Sequence, residues 1–88
     1  MKKVTVYTTR LCPYCRMAKD LFKRKKIIFE EIDVSEDDQF DDLVDRTGFR
    51  TVPQIFIGDE LIGGYEELAK LDQKGKLLKI LGEINPTS

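Results

Sequence analysis

Between an alternating apolar run and a basic amphipathic stretch stands Thr9-Arg10-Leu11-Cys12-Pro13-Tyr14-Cys15, which holds both cysteines of an 88-residue chain. With a strand before it and a helix after it, Cys12 falls at the helix N-cap and Pro13 at the first helical position, where a missing N–H costs nothing. The unpaired N–H groups of a first helical turn, together with the helix dipole, favour a thiolate over a thiol. They lower a cysteine pKa to roughly 3.5–7.5 from about 8.5. Cys12 is therefore a candidate nucleophile near neutral pH. Cys15, within the first turn and pointing further inward, is placed to attack any mixed disulfide formed at Cys12.

What else the chain could do chemically is narrow. It contains no histidine, which removes Cys–His nucleophiles, Ser–His–Asp triads and His-ligated metals together. A Cys12–Cys15 disulfide closes too small a loop to stabilise a fold by much. In a reducing compartment the pair is expected to be catalytic or metal-binding rather than a staple. Half of a four-thiolate metal site is the alternative, and it needs a second chain to supply the other ligands. A net charge of −1 argues against a general nucleic-acid or membrane binder. The start Met-Lys-Lys passes directly into an alternating run, so neither a signal peptide nor a membrane span is expected, and the expected location is the cytosol. Length allows one domain, residues 1–88, built on one small core and working as a monomer.

Periodicity sets the order of elements. Lys2 to Thr8 alternates Val4 and Val6 against Thr5 and Tyr7, a strand. From Pro13, the apolar Met17, Ala18, Leu21 and Phe22 recur at helical spacing, and this helix is expected to end near Lys25 or Lys26. The run Lys23 to Lys26 reads more simply as cations complementing a helix C-terminus than as a polyanion patch. Ile27 to Val34 is β-branched and is expected to pair parallel with the first strand through a right-handed crossover. Ser35 is expected to cap a helix with Phe40, Leu43 and Val44 inward, its acidic run Glu36 to Asp45 in solvent and Gly48 at its end. Gln54 to Ile57 and Glu60 to Ile62 form a hairpin about Gly58-Asp59. Gly63-Gly64 then opens a helix from Tyr65 with Leu68 and Leu71 inward. Beyond Gly75 a last helix, Lys76 to Glu83, is expected to pack Leu77, Leu78, Ile80 and Leu81 on the sheet, with Asn85 to Ser88 as a frayed tail. The sum is an α/β fold: a βαβ unit and then a ββα unit forming a central four-stranded mixed sheet flanked by helices, with the first strand central.

Three motifs in this order, Cys12-Pro13-Tyr14-Cys15, Thr51-Val52-Pro53 and Gly63-Gly64-Tyr65-Glu66-Glu67-Leu68, resemble those of a dithiol glutaredoxin of the thioredoxin-fold superfamily, over almost the whole chain. The resemblance implies a thiol-disulfide oxidoreductase that reduces glutathione mixed disulfides and protein disulfides, with Cys12 as nucleophile, Cys15 as resolving thiol, glutathione as reducing co-substrate and no metal. It implies a cis Val52–Pro53 bond beside Cys12, presenting the Val52 backbone to an extended tripeptide. Backbone N–H groups at Gly64 and the helix start that follows would take the γ-glutamyl carboxylate. A side-chain carboxylate would pair with the ammonium; Glu66 and Glu67 stand where similar proteins carry a small polar residue and then Asp. Tyr14 would wall the site. Thr9 replaces a frequent family lysine, leaving Arg10 as the positive charge near Cys12. Phe40 occupies the position of a polar contact to the glycyl carboxylate, which Arg50, preceding Thr51, would take over. These departures leave two other roles open: a glutaredoxin-like redoxin fed by thioredoxin reductase, and a module in which Cys12 thiolates of two chains, with glutathione, hold an iron–sulfur cluster.

Overall fold

Val4, Val6 and Thr8 all turn inward in the computed structural model, which describes residues 2–82, and the strand they define, β1 (Val4–Thr8), is interior to the sheet. The remaining elements are α1 (Pro13–Arg24), β2 (Glu30–Asp33), α2 (Asp37–Thr47), β3 (Gln54–Ile57), β4 (Glu60–Gly63), α3 (Tyr65–Gln73) and α4 (Leu77–Leu81). The sheet runs β2-β1-β3-β4, with β1 parallel to β2 and antiparallel to β3, and β3 antiparallel to β4. This is the expected mixed sheet. Its core joins Val4, Val6, Ile55 and Ile57 of the sheet to Ala18, Leu21 and Phe22 of α1, Leu68 of α3, and Leu77 and Leu81 of α4. The last helix, expected over Lys76 to Glu83, instead runs Leu77–Leu81 and is closed by Gly82 in a left-handed C-cap (φ 75°); the tail Asn85 to Ser88 lies outside the described residues.

Several elements are shorter or turned differently than periodicity predicts, for identifiable reasons. β1 begins at Val4, because Lys2 donates its N–H to Leu81 O at 2.8 Å rather than to a neighbouring strand. β2 begins only at Glu30: Lys26 takes a left-handed conformation (φ 60°), and Ile27 N–H returns to Phe22 O at 2.9 Å to close the end of α1. Ile27 is consequently buried and Ile28 86% exposed. Ser35 does not cap α2. Its hydroxyl accepts from Arg10 N–H at 3.0 Å, its own N–H donates to Asp33 Oδ1 at 2.7 Å, and the N-cap falls to Glu36 with no side-chain bond. Of the expected α2 stripe, Leu43 is buried while Phe40 and Val44 are half-buried. Met17 lies beside the buried face of α1, set by Cys15, Ala18, Leu21 and Phe22, and is 43% exposed. On the single turn of α4, Leu77 and Leu81 take the inner face and Leu78 points out.

Beneath the loop that carries Cys12, one carboxylate ties three elements. Thr8 Oγ1 at the end of β1 donates to Glu31 Oε2 at 2.8 Å, and Lys19 Nζ of α1 donates to the same oxygen at 2.9 Å. Lys19 first, and then the Thr8 hydroxyl, hold the Glu31 carboxyl below its usual range. A carboxyl depressed in the folded chain adds stability above the unfolded-state value, about 4.3, and loses it as pH falls through the lower folded-state value. The pair is partly solvated, so the effect is screened. Glu31→Gln is expected to cost about 0.5–1 kcal/mol near neutral pH and almost nothing near pH 2–3. Urea unfolding at the two pH values measures the difference.

Candidate active site

The first turn of α1 builds the centre. Cys12 is the N-cap in an extended conformation (φ −133°, ψ 99°), Pro13 follows it into the helix, and Cys12 Sγ accepts the N–H of Cys15 at 3.1 Å. α1 has no acidic residue in its first turn, so no like charge opposes an anion on Cys12, while Lys23 and Arg24 sit in its last turn. A sulfur that already caps a helix is stabilised more as a thiolate than as a thiol, because the capping N–H and the dipole both act on its charge. Cys15 is 2% exposed and Cys12 half-buried. The two are joined as a disulfide, with their Cα atoms 5.2 Å apart. The more accessible sulfur is thus the one under the field of the helix, and the buried one is within bonding reach of it.

Beside this turn lies a cleft of about 310 Å³ bounded by Tyr14, Thr51, Val52, Pro53, Gly64, Tyr65, Glu66 and Glu67. Val52–Pro53 is cis, and Val52 O stands 3.6 Å from Cys12 Sγ, placed to accept from the thiol of the reduced form. Tertiary structure therefore gathers residues of three separate motifs on one opening next to Cys12. Tyr14 and Tyr65 stack across it with ring centres 6.3 Å apart. Tyr65 belongs to a motif that the sequence singles out, yet its ring was not among the expected binding groups. The signal that could have found it is its position directly after the Gly63-Gly64 break, at the first residue of a helix.

Two expected residues lie off the cleft wall. Arg10 is held through its backbone to Ser35, and its charge acts on Asp33, whose carboxyl is depressed chiefly by Ser35 and also by Arg10 and Lys19. Arg50 stands over the Phe40 ring at 5.9 Å, so the two residues expected around the glycyl carboxylate do come together.

The start of α3 depends on two glycines. Gly64 is the N-cap, and its N–H donates to Glu67 Oε1 at 2.8 Å, the reciprocal bond of a capping box. Gly63 has φ +126°, and a Cβ there would meet Glu67 Cγ at 2.8 Å, so both backbone and space demand glycine. Glu67 is thereby folded back along the cleft wall. The N–H groups of Tyr65 and Glu66, in the first turn, have no intrahelical partner and remain for an anion.

Residues 4–62 match the glutaredoxin family model. The chain is 42% identical over 82 residues to the glutaredoxin of Pseudomonas aeruginosa, covering 92% of this chain and 98% of that one. Among solved structures it is similar to a glutaredoxin from Brucella melitensis, with a TM-score of 0.83 and 40% identity over 99% of this chain and 96% of the other. A buckwheat glutaredoxin–glutathione complex superimposes with a TM-score of 0.83 at 32% identity, covering 93% and 78% of the two chains.

Proposed function

The chain belongs to the glutaredoxin family and is a thiol-disulfide oxidoreductase, and on that premise we propose that glutathione supplies its electrons and that its substrates are glutathione mixed disulfides and protein disulfides. The observation that carries this reading is Cys12 at the α1 N-cap, its sulfur accepting the Cys15 N–H at 3.1 Å beside a cleft walled by three motifs. The Cys12 thiolate attacks one sulfur of the substrate disulfide. A Cys12–substrate bond forms, the substrate S–S bond breaks, and the departing sulfur leaves as a thiolate that takes a proton from solvent. The new bond is resolved in one of two ways. A glutathione thiolate attacks the glutathione sulfur of the Cys12–glutathione disulfide, forming oxidised glutathione and freeing the Cys12 thiolate, or Cys15 attacks the Cys12 sulfur, releases the substrate thiol and leaves the Cys12–Cys15 disulfide. Two glutathiones then reduce that disulfide and depart as oxidised glutathione, so two electrons move per turnover.

In this reading the tripeptide lies along Val52, with the Tyr65 and Glu66 N–H groups on its γ-glutamyl carboxylate. Glu66 or Glu67 pairs with its ammonium, and Arg50 and Arg10 act on its far carboxylate and on the thiolate. Tyr14 and Tyr65 shape the opening, and Thr51, Pro53 and Gly64 form its floor. The whole chain works as one monomeric domain in a reducing compartment, where a closely spaced cysteine pair cycles rather than staples.

Cys15→Ser separates the two routes. Reduction of a glutathionylated peptide is expected to stay within about threefold of the parent, since glutathione itself resolves the Cys12–glutathione disulfide and Cys15 is not needed. Reduction of a protein disulfide that needs internal resolution is expected to fall at least about tenfold. Equal loss on both substrates would contradict the assignment. Supplying electrons through glutathione and its reductase, against thioredoxin reductase alone, tests the donor; sustained turnover with the second and none with the first would overturn it.

A further inference from the structure

On a chain whose net charge is −1, the segment from α3 into α4 reverses the sign. Lys70, Lys74 and Lys76, all exposed, stand around one groove of about 360 Å³ bounded by α3, α4 and the outer strand β4. The same groove is lined by Leu61, Ile62, Leu71 and Ile80, each half-buried. None of the three lysines has a carboxylate partner among the described residues. Asp72, on the same helix as Lys70, is paired instead with Lys25 of α1 at 2.9 Å. Glu67 also lines the groove, but its carboxylate is held on the Gly64 N–H at 2.8 Å, which leaves Glu60 as the other lining acid. The groove is not isolated from the redox centre. A second recess, of about 310 Å³, shares Thr51, Pro53, Gly64 and Glu67 with the cleft beside Cys12, and shares Leu61, Ile62 and Glu67 with the groove, so the three spaces adjoin in series.

We infer that the lysine-rimmed groove is a docking site for protein substrates and takes an acidic segment in which aliphatic side chains stand among carboxylates. The inference rests on the redox reading above and names the class of protein substrate that reading leaves open. Carboxylates of the segment answer three cations that no described residue neutralises, and its aliphatic side chains cover surface that α3, α4 and β4 leave half-buried. Lysines also guard outer strands against pairing with another sheet, a role that needs charge alone. Here the cations surround an apolar surface, which a guard does not require. A nucleic-acid strand would supply the charge but no aliphatic group for Leu61, Leu71 and Ile80, so the lining favours a peptide. A substrate held in the groove is tethered close to Cys12, which raises the effective concentration of its disulfide there and lowers KM without changing kcat.

The test is fluorescence anisotropy of the full chain, in its disulfide form, with a labelled cysteine-free decapeptide of glutamate, leucine and glycine. Exchanging its glutamates for glutamine is expected to weaken binding at least about tenfold, and exchanging its leucines for serine about fivefold. Raising the salt to about 0.5 M is expected to weaken it about tenfold. Lys70→Gln with Lys74→Gln is expected to cost about fivefold or more. Lys23→Gln with Lys26→Gln, the same change of net charge at the end of α1, is expected to stay within about twofold. A glutathionylated peptide joined to the acidic segment by a Gly/Ser linker with a reach of about 20 Å is expected to show about fivefold higher kcat/KM than one carrying the glutamine segment, through KM. The Lys70 and Lys74 changes are expected to erase that gain and to leave turnover of the unextended glutathionylated peptide unchanged. No saturable binding, equal loss from both lysine pairs, indifference to the leucines, binding without a gain in kcat/KM, or tighter binding of a twelve-nucleotide DNA strand would overturn the docking site. Peptide binding that depends on Lys70 and Lys74 in a chain inactive on every disulfide would instead overturn the redox reading.

Discussion

A Cys12→Ser chain is expected to lose turnover on glutathionylated peptides and protein disulfides alike, by roughly 10³-fold or more, because the reacting group itself is removed. The serine hydroxyl can still accept the Cys15 N–H and cap α1, so the fold and its stability are expected to change by only a few tenths of a kcal/mol. Loss of activity with an unaltered unfolding curve therefore isolates the chemistry from the structure. The physical cause has its own measurement. In a reduced Cys15→Ser background, the rate of Cys12 alkylation against pH is expected to show a midpoint within roughly 3.5–7.5, against about 8.5 for an unperturbed cysteine. Protonation below that midpoint removes the thiolate and with it turnover, so activity should fall as pH drops through it. A midpoint near that of free cysteine would mean that the start of α1 does not stabilise the anion.

Phe22→Ala carries the second large effect. The Phe22 ring is fully buried, packs against Phe29 with ring centres 5.6 Å apart, and anchors α1 in the core it shares with the sheet, α3 and α4. Truncating such a ring removes its transfer free energy and leaves a cavity, together about 3–5 kcal/mol. A domain of this size has about 5–15 kcal/mol in all, so the variant is expected to stand near the edge of unfolding. Its Tm should fall by more than about 10 °C. Leu78→Ala, at an exposed position of α4, is the matched control and is expected to stay within about 0.5 kcal/mol. Comparable losses from both would show that the core is not built as described. Because α1 also carries Cys12 and Cys15, loss of α1 packing and loss of activity should track each other along the unfolding curve.

The cysteine tetrad was legible because its chemistry is local. An N-cap position, a proline in the first turn and a thiol one turn deeper are all specified within four consecutive residues. The pairing of β1 with β2 and of β3 with β4 was legible because a βαβ crossover and a two-residue hairpin leave few alternatives. Element ends were not, because they were decided by partners distant in sequence. Lys2 leaves β1 for Leu81 O, and Ser35 gives its hydroxyl to Arg10 N–H rather than to α2. Met17 and Leu78 match a helical stripe in sequence, but a stripe does not say how wide the buried face is. Gln54 reads as a polar interruption of an apolar strand. Only the loop at Phe49 and Thr51, folded against it, makes it a buried anchor with one acceptor left over.

By itself the sequence determined the cysteine pair at the start of a helix, the order of helices and strands along the chain, and the three motifs that meet beside that pair. These follow from residue type and short spacing, which act before any long-range contact forms. Tertiary structure alone decided that Val52 O and Cys12 Sγ meet, that Tyr65 faces Tyr14, that Arg50 stacks on Phe40, and that a second recess shares a wall with the first. Each of these joins segments far apart in the chain. Their geometry is set by how α1, α3 and the β3–β4 hairpin pack on one core, and no local preference encodes that packing.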